Sequence, residues 1–144
     1  MKLKLFDFGL MTCVKKASLS STVYELTGCT GSLRYMAPEV ASHKPYNEKV
    51  DVHSFGIILW EMVTGKLPFK GVTKLEFMSE VVGKGFRPKI PKDASPQLSL
   101  LMKQCWDSNA MLRPTCSEIL TALTAIQTAS EAADGKGANK SSWF

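Results

Sequence analysis

The densest apolar stretch lies between positions 51 and 64, where Val52, Phe55, Ile57, Ile58, Leu59, Trp60, Met62 and Val63 leave little room for a polar face. A helix that is apolar on nearly every side needs protein on nearly every side. The pattern therefore predicts a central post over 51–64, stopped by Gly65 with Pro68 shortly beyond. Upstream, Leu3, Leu5 and Phe8 alternate with Lys2, Lys4 and Asp7, as a short strand would, and Gly9 follows as a hinge. Positions 10–36 are rich in Ser, Thr and Gly without a sustained period, and a loop of that length is usually functional. A brief helix is predicted after Pro38 and a surface helix over 73–82, ended by Gly83 and Gly85. Pro88 and Pro91 bracket an extended link, and 96–106 reads as a further helix with Pro near its amino end. Ile119, Leu120, Leu123 and Ile126, whose separations of three, four and seven residues fall on one helical face, predict an amphipathic helix over 117–129. Small and polar residues then read as a frayed, disordered tail over 131–144, with Trp143 and Phe144 isolated at its end. The expected class is mainly α: about five helices, one short N-terminal strand and a long loop.

Composition narrows the function classes. The chain has 144 residues, 44% of them hydrophobic and 22% charged, enough for one globular unit with a core. The net charge of +5 is spread from Lys2 to Lys140 without a dense run or interleaved aromatics, which argues for a solvated basic surface and against nucleic acid. The apolar run over 55–63 contains Glu61 and falls far short of the roughly 20 residues a membrane helix needs. Met1 to Phe6 is too short an apolar stretch for a signal peptide, with acidic Asp7 following at once. Cys13, Cys29, Cys105 and Cys116 form no C-x-x-C pair, and His43 and His53 have no zinc-type spacing relative to them. The expectation is a reduced, cytoplasmic protein without a metal of the zinc type.

The chemistry-bearing residues sit at the two ends of the long loop. Asp7-Phe8-Gly9 opens it, and Gly31-Ser32-Leu33-Arg34-Tyr35-Met36-Ala37-Pro38-Glu39 closes it. Further on stand Asp51-Val52-His53-Ser54-Phe55-Gly56, Gly65-Lys66-Leu67-Pro68-Phe69, Cys105-Trp106-Asp107 and Asn109-Ala110-Met111-Leu112-Arg113-Pro114. In this order and spacing the chain resembles the carboxy-terminal lobe of a protein kinase domain, from the activation segment onward. The resemblance covers about 2–126, with 1–130 as a partial kinase domain. Arg34-Tyr35-Met36 before Ala37-Pro38-Glu39 is similar to the tyrosine-kinase-like group of Ser/Thr kinases, including its Raf-like and mixed-lineage-like members.

The resemblance assigns roles residue by residue. Asp7 would hold Mg2+ at the phosphates of ATP, Phe8 would pack into the lobe to fix Asp7, and Gly9 would let the backbone flip. Ser32, Tyr35 and Met36 would form the pocket beside the acceptor hydroxyl. Glu39 and Arg113 would form a buried ion pair tying the segment to the lobe. Asp51 would accept hydrogen bonds from the catalytic-loop backbone, and it is also placed to cap the central helix. His53 stands where the family usually has Trp, a structural position. Thr12, Ser18, Ser20, Ser21, Thr22, Tyr24, Thr27 and Thr30 are loop hydroxyls that a phosphate could modify, with Thr27 and Thr30 nearest the pocket.

The sequence contains no Gly-rich phosphate loop, no V-A-I-K lysine and no H-R-D catalytic loop. By the resemblance, the catalytic base and the second metal ligand belong upstream of Met1. Three outcomes follow for this chain: a truncated Ser/Thr kinase that is inactive alone and binds no ATP; a non-catalytic module that docks onto kinases or their protein substrates; or a chain whose exposed apolar surface drives self-association.

Overall fold

The computed structural model describes residues 4, 6–11 and 31–134. Helices α1 (Pro38–Ala41), α2 (Lys49–Thr64), α3 (Lys74–Glu76), α4 (Pro96–Cys105) and α5 (Cys116–Asp134) carry the lobe, with short 3-10 turns at Phe8–Leu10, Leu33–Tyr35 and Ala110–Leu112. Among the described residues no strand forms, apart from an isolated bridge at Tyr46. Leu3 and Leu5 lie outside the described residues. Lys4, Phe6 and Asp7 carry no strand pairing, and Phe8 opens a 3-10 turn instead of continuing the extended run. A lone extended segment gains nothing without a partner's hydrogen bonds, and Asp7 with φ 63 breaks the extension.

Helix α2 begins two residues before its predicted start. The Asn47 side chain accepts the Lys49 N–H at 3.1 Å, satisfying a donor that the helix itself leaves open. At the other end Gly65 takes φ 61 and its N–H reaches the Glu61 carbonyl at 2.7 Å, a left-handed stop that Gly adopts without penalty. Its buried face presents Val52, His53, Gly56, Ile57, Leu59 and Trp60, and it packs chiefly against α4. Gly56 permits that approach, because a β-carbon there would lie 2.7 Å from the Cys105 Cβ. Ile58, Met62 and Val63 remain exposed. The central post is thus covered on one side and open on the other.

The segment after α2 departs from a plain helix. Thr73 and Glu76 form a reciprocal capping box: the Thr73 N–H donates to Glu76 at 2.8 Å and the Glu76 N–H to Thr73 Oγ1 at 3.3 Å. The chain then widens into a π-helix over Phe77–Gly83. Phe77 and Val81 both point into the core, with Phe77 edge-on to Phe69 at 5.5 Å. The link after it is pinned to α2, since Trp60 Nε1 donates to the Lys89 carbonyl at 3.0 Å.

Ser95 caps α4 by accepting the Leu98 N–H, with Pro96 in the first turn. Thr115 and Glu118 cap α5 in the same reciprocal way as the box before α3. Of α5, Ile119 is buried, and Ala122 and Leu123 pack against the core. The helix continues to Asp134, past the predicted end of the domain at 130, with every residue of 127–133 exposed.

Candidate functional site

The closing end of the long loop is stitched to α2. Leu33–Tyr35 makes one 3-10 turn, and Met36 and Ala37 are buried behind it. The Tyr35 hydroxyl donates to Glu61 Oε2 at 2.8 Å, while the Tyr35 carbonyl accepts from Ser54 Oγ, also at 2.8 Å. The Glu61 hydrogen bond, reinforced by burial and by the carboxylate's charge, raises the phenol's pKa above its ordinary value. Ser54 and Glu61 lie two helical turns apart on one face of α2, so they grip the strip at two points. Ser32 stands exposed in extended conformation at the head of this turn, and its hydroxyl makes no capping bond. Of the predicted pocket residues, Tyr35 and Met36 line the lobe and Ser32 faces solvent. Ser54 and Glu61 were not singled out in the sequence, although their seven-residue spacing is a legible helical signal.

Glu39 and Arg113, 74 residues apart in the chain, meet side by side. Arg113 Nη1 lies 2.5 Å from Glu39 Oε1 and Nη2 lies 3.0 Å from Oε2, a bidentate pair. The guanidinium is buried and also donates to the carbonyls of Asp107 at 2.9 Å and Lys49 at 3.1 Å. Lys49 Nζ returns the contact, donating to the Arg113 carbonyl at 2.6 Å. A second arginine supports the same corner. Arg87 Nε donates to the Trp106 carbonyl at 3.0 Å and Nη1 to the carbonyls of Val81 and Phe86. Burial and the neighbouring Arg113 charge lower its pKa, against the opposing pull of Glu39 and Asp107. A cavity of about 290 Å³ opens beside this corner, lined by Glu39, Tyr46, Asn47, Val82, Arg87 and Met111 among others.

His53 is buried within α2, and neither ring nitrogen has a hydrogen-bond partner. Burial first, then the charges of Arg113 and Arg87, push its pKa down to about 3. The Tyr35 backbone opposes that shift only weakly. A neutral imidazole therefore fills the site where the resemblance places Trp.

Two assigned roles need correction. Asp51 is not the cap of the central helix: α2 starts at Lys49 after Glu48, and Asn47 supplies the side-chain bond. Asp51 sits in the first turn, where a carboxylate still complements the helix N-terminus. Its pKa is raised by local desolvation and by Glu48, although the residue as a whole meets solvent. Phe8 does not pack into the lobe, being 60% exposed alongside exposed Phe6, Leu10 and Met11. No apolar pocket among the described residues receives it. Asp7 next to it is left-handed, and its carboxylate makes no capping bond within the turn. Among the described residues no cluster of His, Cys, Asp or Glu is large enough to hold a metal ion. Asp7 alone supplies one carboxylate, which suits Mg2+ when phosphates and water complete its shell. Thr27 and Thr30 lie outside the described residues, as do the other candidate phosphosites.

A family model described as protein tyrosine and serine/threonine kinase matches residues 1–123. The chain belongs to the protein kinase family. It contributes the helical C-terminal lobe from the activation segment onward and falls in the tyrosine-kinase-like group. Among similar proteins, serine/threonine-protein kinase STY17 of Arabidopsis thaliana is 44% identical over 123 residues, covering 85% of this chain and 20% of its own length. Serine/threonine/tyrosine-protein kinase HT1 of the same plant is 42% identical over 85% of this chain and 30% of its own. Dual specificity protein kinase shkC of Dictyostelium discoideum is 41% identical over 85% of this chain and 24% of its own. The chain thus spans between a fifth and a third of these relatives. No described helix of this kinase lobe is long and apolar enough to cross a membrane.

Proposed function

We propose that this chain is the activation-segment and helical-lobe part of a serine/threonine kinase, acting in the cytoplasm, whose complete domain moves the γ-phosphoryl group of ATP onto protein hydroxyls. The observation that carries this reading is the double anchoring of the acceptor strip. Tyr35 is held to α2 through Ser54 and Glu61, and Glu39 is locked to Arg113 three residues after Met36. Phosphoryl transfer depends on positioning and charge neutralisation, and a strip held at both ends keeps an acceptor side chain in one place. Bound ATP·Mg2+ supplies the phosphoryl group and the charge that Asp7 would help hold. Ser32, exposed at the head of the strip, is free to meet the acceptor and the catalytic loop. Thr27 and Thr30 are the hydroxyls whose phosphorylation would order the segment.

Alone, these residues neither bind ATP nor transfer phosphate, because the adenine contacts and the catalytic base belong to other parts of a kinase domain. Two measurements test the reading. The purified chain with Mg·ATP is expected to show no heat of nucleotide binding and no labelling of a generic protein substrate; transfer by the unaided chain would overturn the inactivity. A chimera joining the upstream kinase part of STY17 to this chain is expected to phosphorylate Ser and Thr, and to lose activity on Asp7→Asn. A folded chimera that labels only Tyr, or that ignores Asp7→Asn, would refute the assignment.

A further inference from the structure

Between the central helix and the π-helix the chain makes an exposed turn of one charge sign. Lys66, Lys70 and Lys74 recur every four residues, and no Asp or Glu occurs over 62–75. All three lysines are exposed, and none lies within ion-pair distance of a carboxylate among the described residues. The two glutamates that bound the segment are already engaged, Glu61 by Tyr35 and Glu76 by the Thr73 capping box. Apolar side chains alternate with the lysines and stay accessible: Leu67 at 43%, Val72 at 37% and Leu75 at 81% exposure. The turn is held in place from below. Pro68 and Phe69 plug into the core, and Phe69 adopts φ 50 to do so, a costly conformation for an aromatic residue that only surrounding contacts sustain. Its neighbours are thereby presented outward on a fixed backbone.

We propose that the turn over 66–75 is a docking surface for an acidic, leucine-bearing segment of a partner protein. Unpaired lysines around accessible apolar side chains complement a segment of carboxylates around an apolar anchor, and a preformed turn loses little freedom when that segment binds. A membrane surface is the poorer fit. An interfacial anchor is a helix that lays one continuous apolar face into the lipid, whereas residues 65–73 carry no helix and Trp60, Phe69 and Phe77 are buried.

The test uses the full chain and a short fluorescein-labelled peptide of mixed glutamate and leucine, read by anisotropy. Lys66→Glu, Lys70→Glu and Lys74→Glu together are expected to weaken binding about tenfold, more than isolated surface pairs alone would give. The matched triple at Lys89, Lys92 and Lys103 carries the same change in net charge and is expected to leave binding within about twofold. Leu75→Ser, at a position too exposed to affect folding, is expected to weaken binding severalfold, and unchanged thermal melts exclude unfolding as the cause. Equal losses from both lysine triples, or no binding of the peptide, would overturn the proposal. So would sedimentation with phosphatidylserine vesicles that the 66/70/74 triple abolishes, which would assign the turn to a membrane.

Discussion

At the residue scale, the two buried groups with most at stake are Arg113 and His53, and they differ in how well they are satisfied. Arg113 spends its fork on Glu39 and two main-chain carbonyls. Arg113→Ala would strand the Glu39 carboxylate and take from the Asp107 carbonyl its Arg113 donor. The expected loss is about 3 to 5 kcal/mol in urea unfolding, and a loss below about 1 kcal/mol would show the pair to be idle. His53 is far less well satisfied: neither ring nitrogen makes a hydrogen bond of ordinary geometry, and the Tyr35 backbone supports its protonated form only weakly. Folded, it stays neutral down to about pH 3; unfolded, it takes a proton near its ordinary value of about 6.5. Between those limits the unfolded chain binds more protons, so stability falls as pH drops. The loss between pH 7 and pH 5 is about 2 kcal/mol. His53→Phe, which keeps a ring and removes both unpaired nitrogens, is expected to flatten that stretch of the stability curve. Parallel curves for the two proteins would refute the assignment. The Glu39 and Arg113 positions were readable from motif resemblance. Arg87 was not, because its partners are main-chain carbonyls of Trp106, Val81 and Phe86, and no residue type marks a carbonyl that will need a donor.

At the element scale, the meeting of α2 and α4 is set by the absence of one carbon. Adding it in Gly56→Ala places the new atom 2.7 Å from the Cys105 β-carbon. Overpacking of this kind costs about 1 to 3 kcal/mol, which outweighs the gain of up to about 1 kcal/mol in helix propensity. Thermal unfolding should therefore show a lower midpoint for Gly56→Ala, and Cys105→Ala in the same background should not restore it, because the clashing β-carbon remains. Recovery with Cys105→Ala would locate the conflict at the sulfur instead. Helix existence followed from apolar patterning in α2, α4 and α5, and Pro96 marked the start of α4, but the starts of α2 and α5 did not follow. Asn47 and Thr115 cap by hydrogen bonds that begin α2 and α5 earlier than the apolar pattern does. The π-helical widening over Phe77–Gly83 also left no periodic trace, since Phe77 and Val81 occupy positions that an ordinary helix would equally turn inward.

At the scale of the whole molecule, the core closes around α2 on one side only. Cys105 lies inside that core, where burial first and the neighbouring Cys116 second raise its thiol to about 11; Cys116 is exposed. Brief alkylation at mildly alkaline pH, followed by peptide mapping, is expected to modify Cys116 in the folded chain and Cys105 only on unfolding. Equal rates at the two sites would mean that the α2 and α4 interface is open in solution. The sequence by itself determined the mainly helical class, the order of the helices, the kinase family and the two ends of the activation segment, because side-chain periodicity and motif spacing are properties of the chain in one dimension. Tertiary structure alone decided that Phe8 finds no pocket among the described residues, that Ser54 and Glu61 hold Tyr35, that Arg87 backs the Glu39 and Arg113 pair, and that one flank of the central helix stays open. Each of those depends on where a distant carbonyl, carboxylate or apolar surface comes to lie in space, and local spacing carries no information about that.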